Sequence, residues 1–204
     1  MSGTIFVVGE DDLCCSVGEA LVRYTGTRTT ISQRLIAGGA DPFKKRIASM
    51  NNVAKKIMPV LMIADADQAP CVVTQLNAWL PREASERLLL RLAVKEAEAW
   101  ILADDVGFAR FARINQAKFP RHPDDATDPK RILLGLVASG KSRELREEML
   151  APRGSKALVG LGYNLRLAEF VRDHWCIDRA IERSPSLARA LPRLTAVLEK
   201  ENLR

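Results

Sequence analysis

Val60-Leu-Met-Ile-Ala-Asp65-Ala-Asp67 is an apolar run of strand length that ends in two aspartates one residue apart. Side chains alternate along a strand, so this spacing predicts that Asp65 and Asp67 leave its carboxyl end on the same side, close enough for one divalent cation to bind both. Without a cation they repel. A second acidic strand end lies near the start, where Thr4-Ile-Phe-Val-Val8 runs through Gly9 into Glu10-Asp11-Asp12. In open parallel sheets the carboxyl ends of the central strands meet at the ligand crevice, so two acidic strand ends predict a single metal site.

Working outward, short apolar runs alternate with amphipathic segments from Thr4 to about Leu102, the pattern of a βαβ sheet. Strands are predicted at Thr4 to Val8, about Thr29 to Ile36, Val60 to Ala64 and Leu88 to Val94. Helices are predicted between them at about Leu13 to Tyr24, Pro42 to Ile57 and Cys71 to Leu80, with Asp41 and Pro42 marking a helix start. Val17, Ala20, Leu21 and Tyr24 form one stripe of the first helix, as a helix covering a sheet requires. Right-handed crossovers then place the first and third strands side by side at the centre.

Beyond Asp104 the strand signals stop. Helical spacing recurs at Val106 to Ile114, Pro129 to Ala138, Ser142 to Met149, Asn164 to Trp175, Asp178 to Glu182 and Ser186 to Glu199, punctuated by Pro and Gly. The expected architecture is α/β, a Rossmann-type parallel sheet of about four strands flanked by helices, with a helical C-terminal part. Residues 1–104 form the α/β metal-binding core and residues 105–204 a basic helical extension packed on it. The loop Lys118 to Asp128, with Pro120 and Pro123, is the best boundary candidate.

With 204 residues and 47% hydrophobic content the chain can bury one good core. No apolar run approaches membrane-spanning length, and the N-terminus lacks a charged region followed by an apolar signal core, so no membrane partner and a cytoplasmic location are expected. Cys14, Cys15, Cys71 and Cys176 form no C-x-x-C pair and read as reduced core thiols. The net charge of +6 is uneven: residues 1–104 carry twelve basic and twelve acidic side chains, residues 105–204 nineteen and thirteen. An acidic centre beside a basic surface for a polyanion fits this asymmetry, as does a merely soluble basic chain. Lys141, Arg143, Arg146, Arg153 and Lys156 are the candidate nucleic-acid contacts, although Glu144, Glu147 and Glu148 interleave with them.

Glu10, Asp65 and Asp67 are hard oxygen donors of the type Mg²⁺ prefers. Strand-end acids also cap helices, which suits Asp11 or Asp12. Capping suits Asp65 less, because the apolar run before it predicts burial and two neighbouring buried carboxylates need a cation. His122 and His174 are too few and scattered for a histidine site, and the chain has neither a Walker A nor a G-x-G-x-x-G motif for nucleotide binding.

Glu at the end of the first strand and D-x-D after the third resemble the Toprim pattern of topoisomerases, primases, RNA-maturing nucleases and the OLD (overcoming lysogenization defect) nucleases. Arg91-Leu-Ala-Val-Lys95-Glu96-Ala-Glu98-Ala-Trp100-Ile-Leu-Ala-Asp104, Asp128-Pro-Lys130, Gly160-Leu-Gly-Tyr163-Asn164 and Ser186-Leu-Ala-Arg189 look like the small bacterial Toprim-like proteins of the DUF4276 type. The chain departs from the Toprim pattern at Val8-Gly9, where an acid sometimes sits earlier, which leaves Glu10, Asp11 and Asp12 as competing ligands. The resemblance implies a Toprim-type nuclease using two Mg²⁺ or Mn²⁺ ions. Lys130 would stand near the scissile phosphate, unless it is a solvated lysine at a helix start. It also implies the effector half of a split anti-phage defence system, with an ABC or AAA-type ATPase on another chain and DNA or RNA as substrate.

Glu96 and Glu98 follow the fourth strand and are candidates for a second metal site. On a continued strand they share a face, but on a helix they lie about 200° apart and only one reaches inward, for which Glu96 is favoured. Trp100 then reads as core, and Asp104 as a ligand or as the cap of the next helix. Two other readings stand beside the nuclease. The opening Val7-Val8-Gly9-Glu10-Asp11-Asp12 resembles response-regulator receiver domains, although Asp65-Ala-Asp-Gln-Ala-Pro and the missing later Thr/Ser and Lys landmarks do not. The third reading is a catalytically silent Toprim-like scaffold that binds an ATPase partner.

Overall fold

Four apolar segments pair side by side in one direction: β1 (Thr4–Gly9), β2 (Thr30–Ile36), β3 (Val60–Asp65) and β4 (Leu88–Ala93). A computed structural model, which describes residues 3–203, places them in the all-parallel order β2-β1-β3-β4. The central position of β3 explains its uninterrupted apolar run, since Val60 through Ala64 are buried on both faces. The edge strand β2 is largely exposed, which is why its sequence, Thr-Ile-Ser-Gln-Arg-Leu-Ile, tolerates polar residues.

Three helices make the crossovers: α1 (Asp12–Tyr24), α2 (Ala40–Lys56) and α3 (Val72–Trp79). One face of the sheet packs Val60, Met62, Leu88 and Leu90 against Phe43 and Ile47 of α2. The other packs Ile5, Val7, Leu61, Ile63 and Leu89 against α1 and the helices that follow β4. These are α4 (Ala97–Ala103), α5 (Asp105–Ala112), α6 (Pro129–Ser139), α7 (Arg143–Met149), α8 (Tyr163–Asp173), α9 (Ile177–Arg183) and α10 (Pro185–Asn202). Their apolar residues, including Phe108, Phe170, Leu187 and Leu194, join those of β1 and β3 in one cluster. Trp100 belongs to that cluster and is 1% exposed, its indole N–H donating to Ser186 Oγ at 2.8 Å.

Two local expectations are corrected. α2 begins at Ala40 after Gly39 (φ 119°), not at Pro42, because a proline is tolerated throughout the first helical turn, where the N–H groups have no intrahelical partner. Cys14 and Cys15 are buried, but Cys71 is exposed at the start of α3 and is no core thiol. The segment from Lys118 to Asp128 follows a 3₁₀ turn at Gln116–Lys118, holds another at Pro123–Asp125 and is stitched down by Asp124, whose carboxylate accepts from Ser184 Oγ at 2.7 Å and Ser186 N at 2.8 Å. Asp104 is fully buried; it caps α5 through Gly107 N (3.0 Å), accepts from Cys176 N (2.8 Å) and pairs with Arg179 (2.6 Å). No helix among the described residues is long and apolar enough to cross a membrane.

The first described residue and the last helix clasp each other. Gly3 N donates to Asn202 Oδ1 at 2.8 Å, and Asn202 Nδ2 donates to Thr29 Oγ1 at 3.1 Å.

The turn from β1 into α1 is tight enough to require glycine. A Cβ on Gly9 would lie 2.4 Å from Cys15 N and 2.6 Å from Asp11 O, both backbone atoms. Gly9→Ala is expected to cost at least about 1–3 kcal/mol by overpacking. Gly135→Ala, inside α6 with nothing within 4 Å of the new methyl, is expected to gain roughly 0.5–1 kcal/mol. Urea denaturation of both variants checks the contrast.

Candidate functional site

The parallel pairing of β1 with β3 puts Gly9 opposite Ile63 and brings the two acidic strand ends together. Glu10 is fixed by its backbone, its N–H donating to Ile63 O at 2.9 Å and its carbonyl accepting from Gly38 N and Gly39 N. Its carboxylate accepts from Asp65 N at 3.3 Å. The other two acids of the triplet turn elsewhere. Asp11 caps α1 through Cys14 N at 2.8 Å, and Asp12 pairs with Arg34 of β2.

Asp65 ends β3, and its Oδ1 accepts from Ala97 N at 2.8 Å, joining the strand end to the start of α4. Strand alternation does not carry on to Asp67. That residue is left-handed (φ 50°) and exposed, its N–H donating to Lys95 O at 2.8 Å, so Asp65 and Asp67 do not share a strand face. Asp67 stands at the rim, where its charge acts on Glu10.

Glu98, rather than Glu96, is the inward acid. α4 starts at Ala97, so Glu96 is still extended as the residue before the helix, and its Oε2 accepts from Lys130 N at 2.8 Å at the start of α6. Glu98, in the first turn, is 2% exposed and accepts from the Tyr163 hydroxyl at 2.8 Å. Asp128 caps α6 and Pro129 opens it, which sets Lys130 in the first turn with Nζ 3.4 Å from Glu98 and 3.9 Å from Glu96. Lys130 is therefore part of the acidic cluster and not a solvated helix-start lysine.

The electrostatics follow from burial and crowding. Burial, reinforced by the charge of Glu98, pushes Asp65 up to about 8 against the Ala97 N–H. Glu98 is raised by burial, opposed by Lys130 and by the Tyr163 hydrogen bond. Glu10 is raised by burial, the Asp65 N–H opposing it and the charges of Asp67 and Asp11 reinforcing it. Burial works against the charge of Lys130, but Glu98, Glu96 and Asp65 outweigh it and hold the ammonium above its ordinary value. The Cys14 thiol, 3.8 Å from Asp65, is driven well up by burial and by that carboxylate.

Beside the cluster opens a cavity of about 500 Å³ lined by Gln68, Lys95, Glu96, Lys130, Arg131 and Leu158 among others, a volume suited to a nucleotide-sized group. Among the described residues, no three or more His, Cys, Asp or Glu side chains stand ready as a coordination shell. Among the described residues, Lys130 is the one cation that pairs with Glu96 and Glu98.

Tyr163 was not singled out for its chemistry in the sequence, and only the glycines around it signal its placement. A Cβ on Gly160 would sit 2.2 Å from Glu148 O, so glycine permits the close approach that seats α8 against α7. The candidate nucleic-acid residues differ in how far they are already partnered. Arg143 is neutralised by Glu147 (2.7 Å), Arg146 donates to the Gly140 carbonyl, and Glu144 and Glu148 pair with Arg166 of α8. Lys141, Arg153 and Lys156 are exposed and make no ion pair among the described residues.

Fold and site together define an α/β protein with a four-stranded parallel sheet and a carboxylate–lysine cluster at the carboxyl ends of its central strands. Comparison with models of known families, with curated proteins and with solved structures finds no match to this chain.

Asp65 supplies a pH test. An unfolded aspartate titrates near 3.9 and the folded one near 8, so the folded state holds the extra proton between those values. The stability from this group is present in full below about pH 4 and is lost as pH rises through about 8. In chelator, Asp65→Asn is expected to make the melting temperature fall less steeply over that range and to equal or exceed the wild type at pH 8. The amide oxygen retains the Ala97 contact, so thermal melts report charge alone.

Proposed function

We propose that this protein is a metal-dependent phosphodiesterase acting on nucleic acid. The observation that carries the reading is the crowding of carboxylates at the end of β3, where the Asp65 N–H donates to Glu10, the charges of Glu98 and Glu10 act on Asp65, and Lys130 is the counter-charge. The donors are hard oxygens, and their crowding leaves a deficit of positive charge, so the residues fit Mg²⁺ or Mn²⁺ chemically. Glu10 and Asp65 would hold the ion together with water and phosphate oxygens, with Asp67 at the rim and Glu96 and Glu98 on the side of a second. A bound divalent ion would supply positive charge against phosphate oxygens and an activated water.

The chain's own groups divide the remaining work. Lys130 neutralises negative charge where a phosphate would approach from the cavity. Lys95 and Arg131, which line the same cavity, orient the backbone of the substrate. Tyr163 fixes the Glu98 carboxylate through its hydroxyl. A receiver-type phosphoacceptor role for Asp65 is disfavoured by its burial and by the Ala97 N–H that occupies its Oδ1. The resemblance to OLD-type proteins extends the reading to a cytoplasmic effector whose ATPase partner lies on another chain.

Calorimetry with Mn²⁺ is expected to detect binding to the wild type and none to Asp65→Asn/Glu98→Gln. Cleavage of labelled DNA or RNA should vanish in that variant and fall roughly 10²–10³-fold in Lys130→Ala. A wild-type protein that binds no divalent ion would sink the reading. Co-expression with the ATPase of a neighbouring gene is expected to raise weak intrinsic cleavage; vigorous cleavage by the isolated chain would count against the partner.

A further inference from the structure

The open edge of β4 borders a second cavity, of about 300 Å³, closed on its other sides by α3 and α10. Arg91 of β4 and Arg189 and Arg193 of α10 line it, and among the described residues no acidic side chain does. Among the described residues none of these three arginines makes an ion pair, whereas Arg34, Arg87, Arg166, Arg179 and Arg183 all do. Arg91 is half-buried and spends donors on the carbonyls of Leu90 (2.9 Å) and Ala190 (3.4 Å), which leaves further guanidinium N–H groups unspent. Burial and the neighbouring charge of Arg193 both work against its cation. Three guanidinium groups gathered without an acid repel each other unless an anion joins them. The floor between them is apolar, with Leu76 and Leu92 facing the same space.

We propose that this groove binds a phosphate monoester carried on a flat apolar body, the chemistry of a nucleoside monophosphate or of a phosphorylated nucleic-acid end. Guanidinium forks match phosphate oxygens two at a time, and three of them can embrace a terminal phosphoryl group. The cavity lies at the lower end of the volumes that hold small ligands, enough for one base and sugar over Leu76 and Leu92. Arg189 and Arg193 stand four residues apart on one face of α10, so their spacing is fixed by the helix. The site holds whether or not the carboxylate cluster binds metal.

The test is calorimetry on the full chain in chelator, with adenosine monophosphate, inorganic phosphate, adenosine and a 5′-phosphorylated tetranucleotide as probes. Adenosine monophosphate is expected to bind more tightly than phosphate or adenosine alone. Arg189→Gln/Arg193→Gln changes two exposed side chains, so folding, checked by circular dichroism, is retained while affinity falls about tenfold or more. Tighter binding of the tetranucleotide than of the mononucleotide, lost in the same variant, identifies a nucleic-acid end as the source of the phosphate. No binding of either nucleotide at millimolar concentration, equal affinity for inorganic phosphate, or undiminished binding by the double variant would each overturn the proposal.

Discussion

Parallel pairing of β1 with β3 delivers the strand ends that carry Glu10 and Asp65 to one point above the sheet, and most of the C-terminal helical part is arranged around what that meeting demands. Like charges in a half-buried crevice must be screened, hydrogen-bonded or protonated. The chain answers with donors from several elements: the Asp65 N–H for Glu10, the Ala97 N–H for Asp65, the Tyr163 hydroxyl for Glu98 and the Lys130 ammonium for Glu98 and Glu96. α4 is thus tied to the sheet, and α6 and α8 to α4, by polar contacts at the sheet's carboxyl end as well as by the apolar cluster beneath.

These donors leave the site short of positive charge. Burial and the charge of Glu98 together outweigh the Ala97 N–H and push Asp65 up to about 8. A stable protein has no need of such an arrangement, since replacing Asp65 by an amide would keep its contact and remove the conflict. Electrostatic conflict retained at a crevice is characteristic of sites that bind or transform a ligand.

The sheet was legible because burial on both faces leaves a plain mark: Val60 to Ala64 and Leu88 to Leu90 are continuous apolar runs bounded by charge or turn residues. The helical half was legible by its period, with ends shifted by up to three residues. The site was only partly legible. Asp67 was assigned to the strand face because alternation was assumed to continue, but the chain turns left-handed there to meet Lys95. Choosing between Glu96 and Glu98 depended on the first residue of α4, which spacing does not determine. Tyr163, and the pairing of Glu144 and Glu148 with Arg166 across α7 and α8, arise from contacts between segments far apart or on separate helices, beyond the reach of any local pattern.

The clasp between Gly3 and Asn202 bears on how the chain comes into being. β1 is synthesised well before Leu191, Leu194 and Leu198 of α10, which share its apolar cluster. At ribosomal speeds the delay between Ile5 and Leu198 is roughly 10–40 s. Throughout that interval the face of the nascent sheet that α10 will cover remains partly open to water and to other chains. That face completes its apolar cluster only once α10 has emerged.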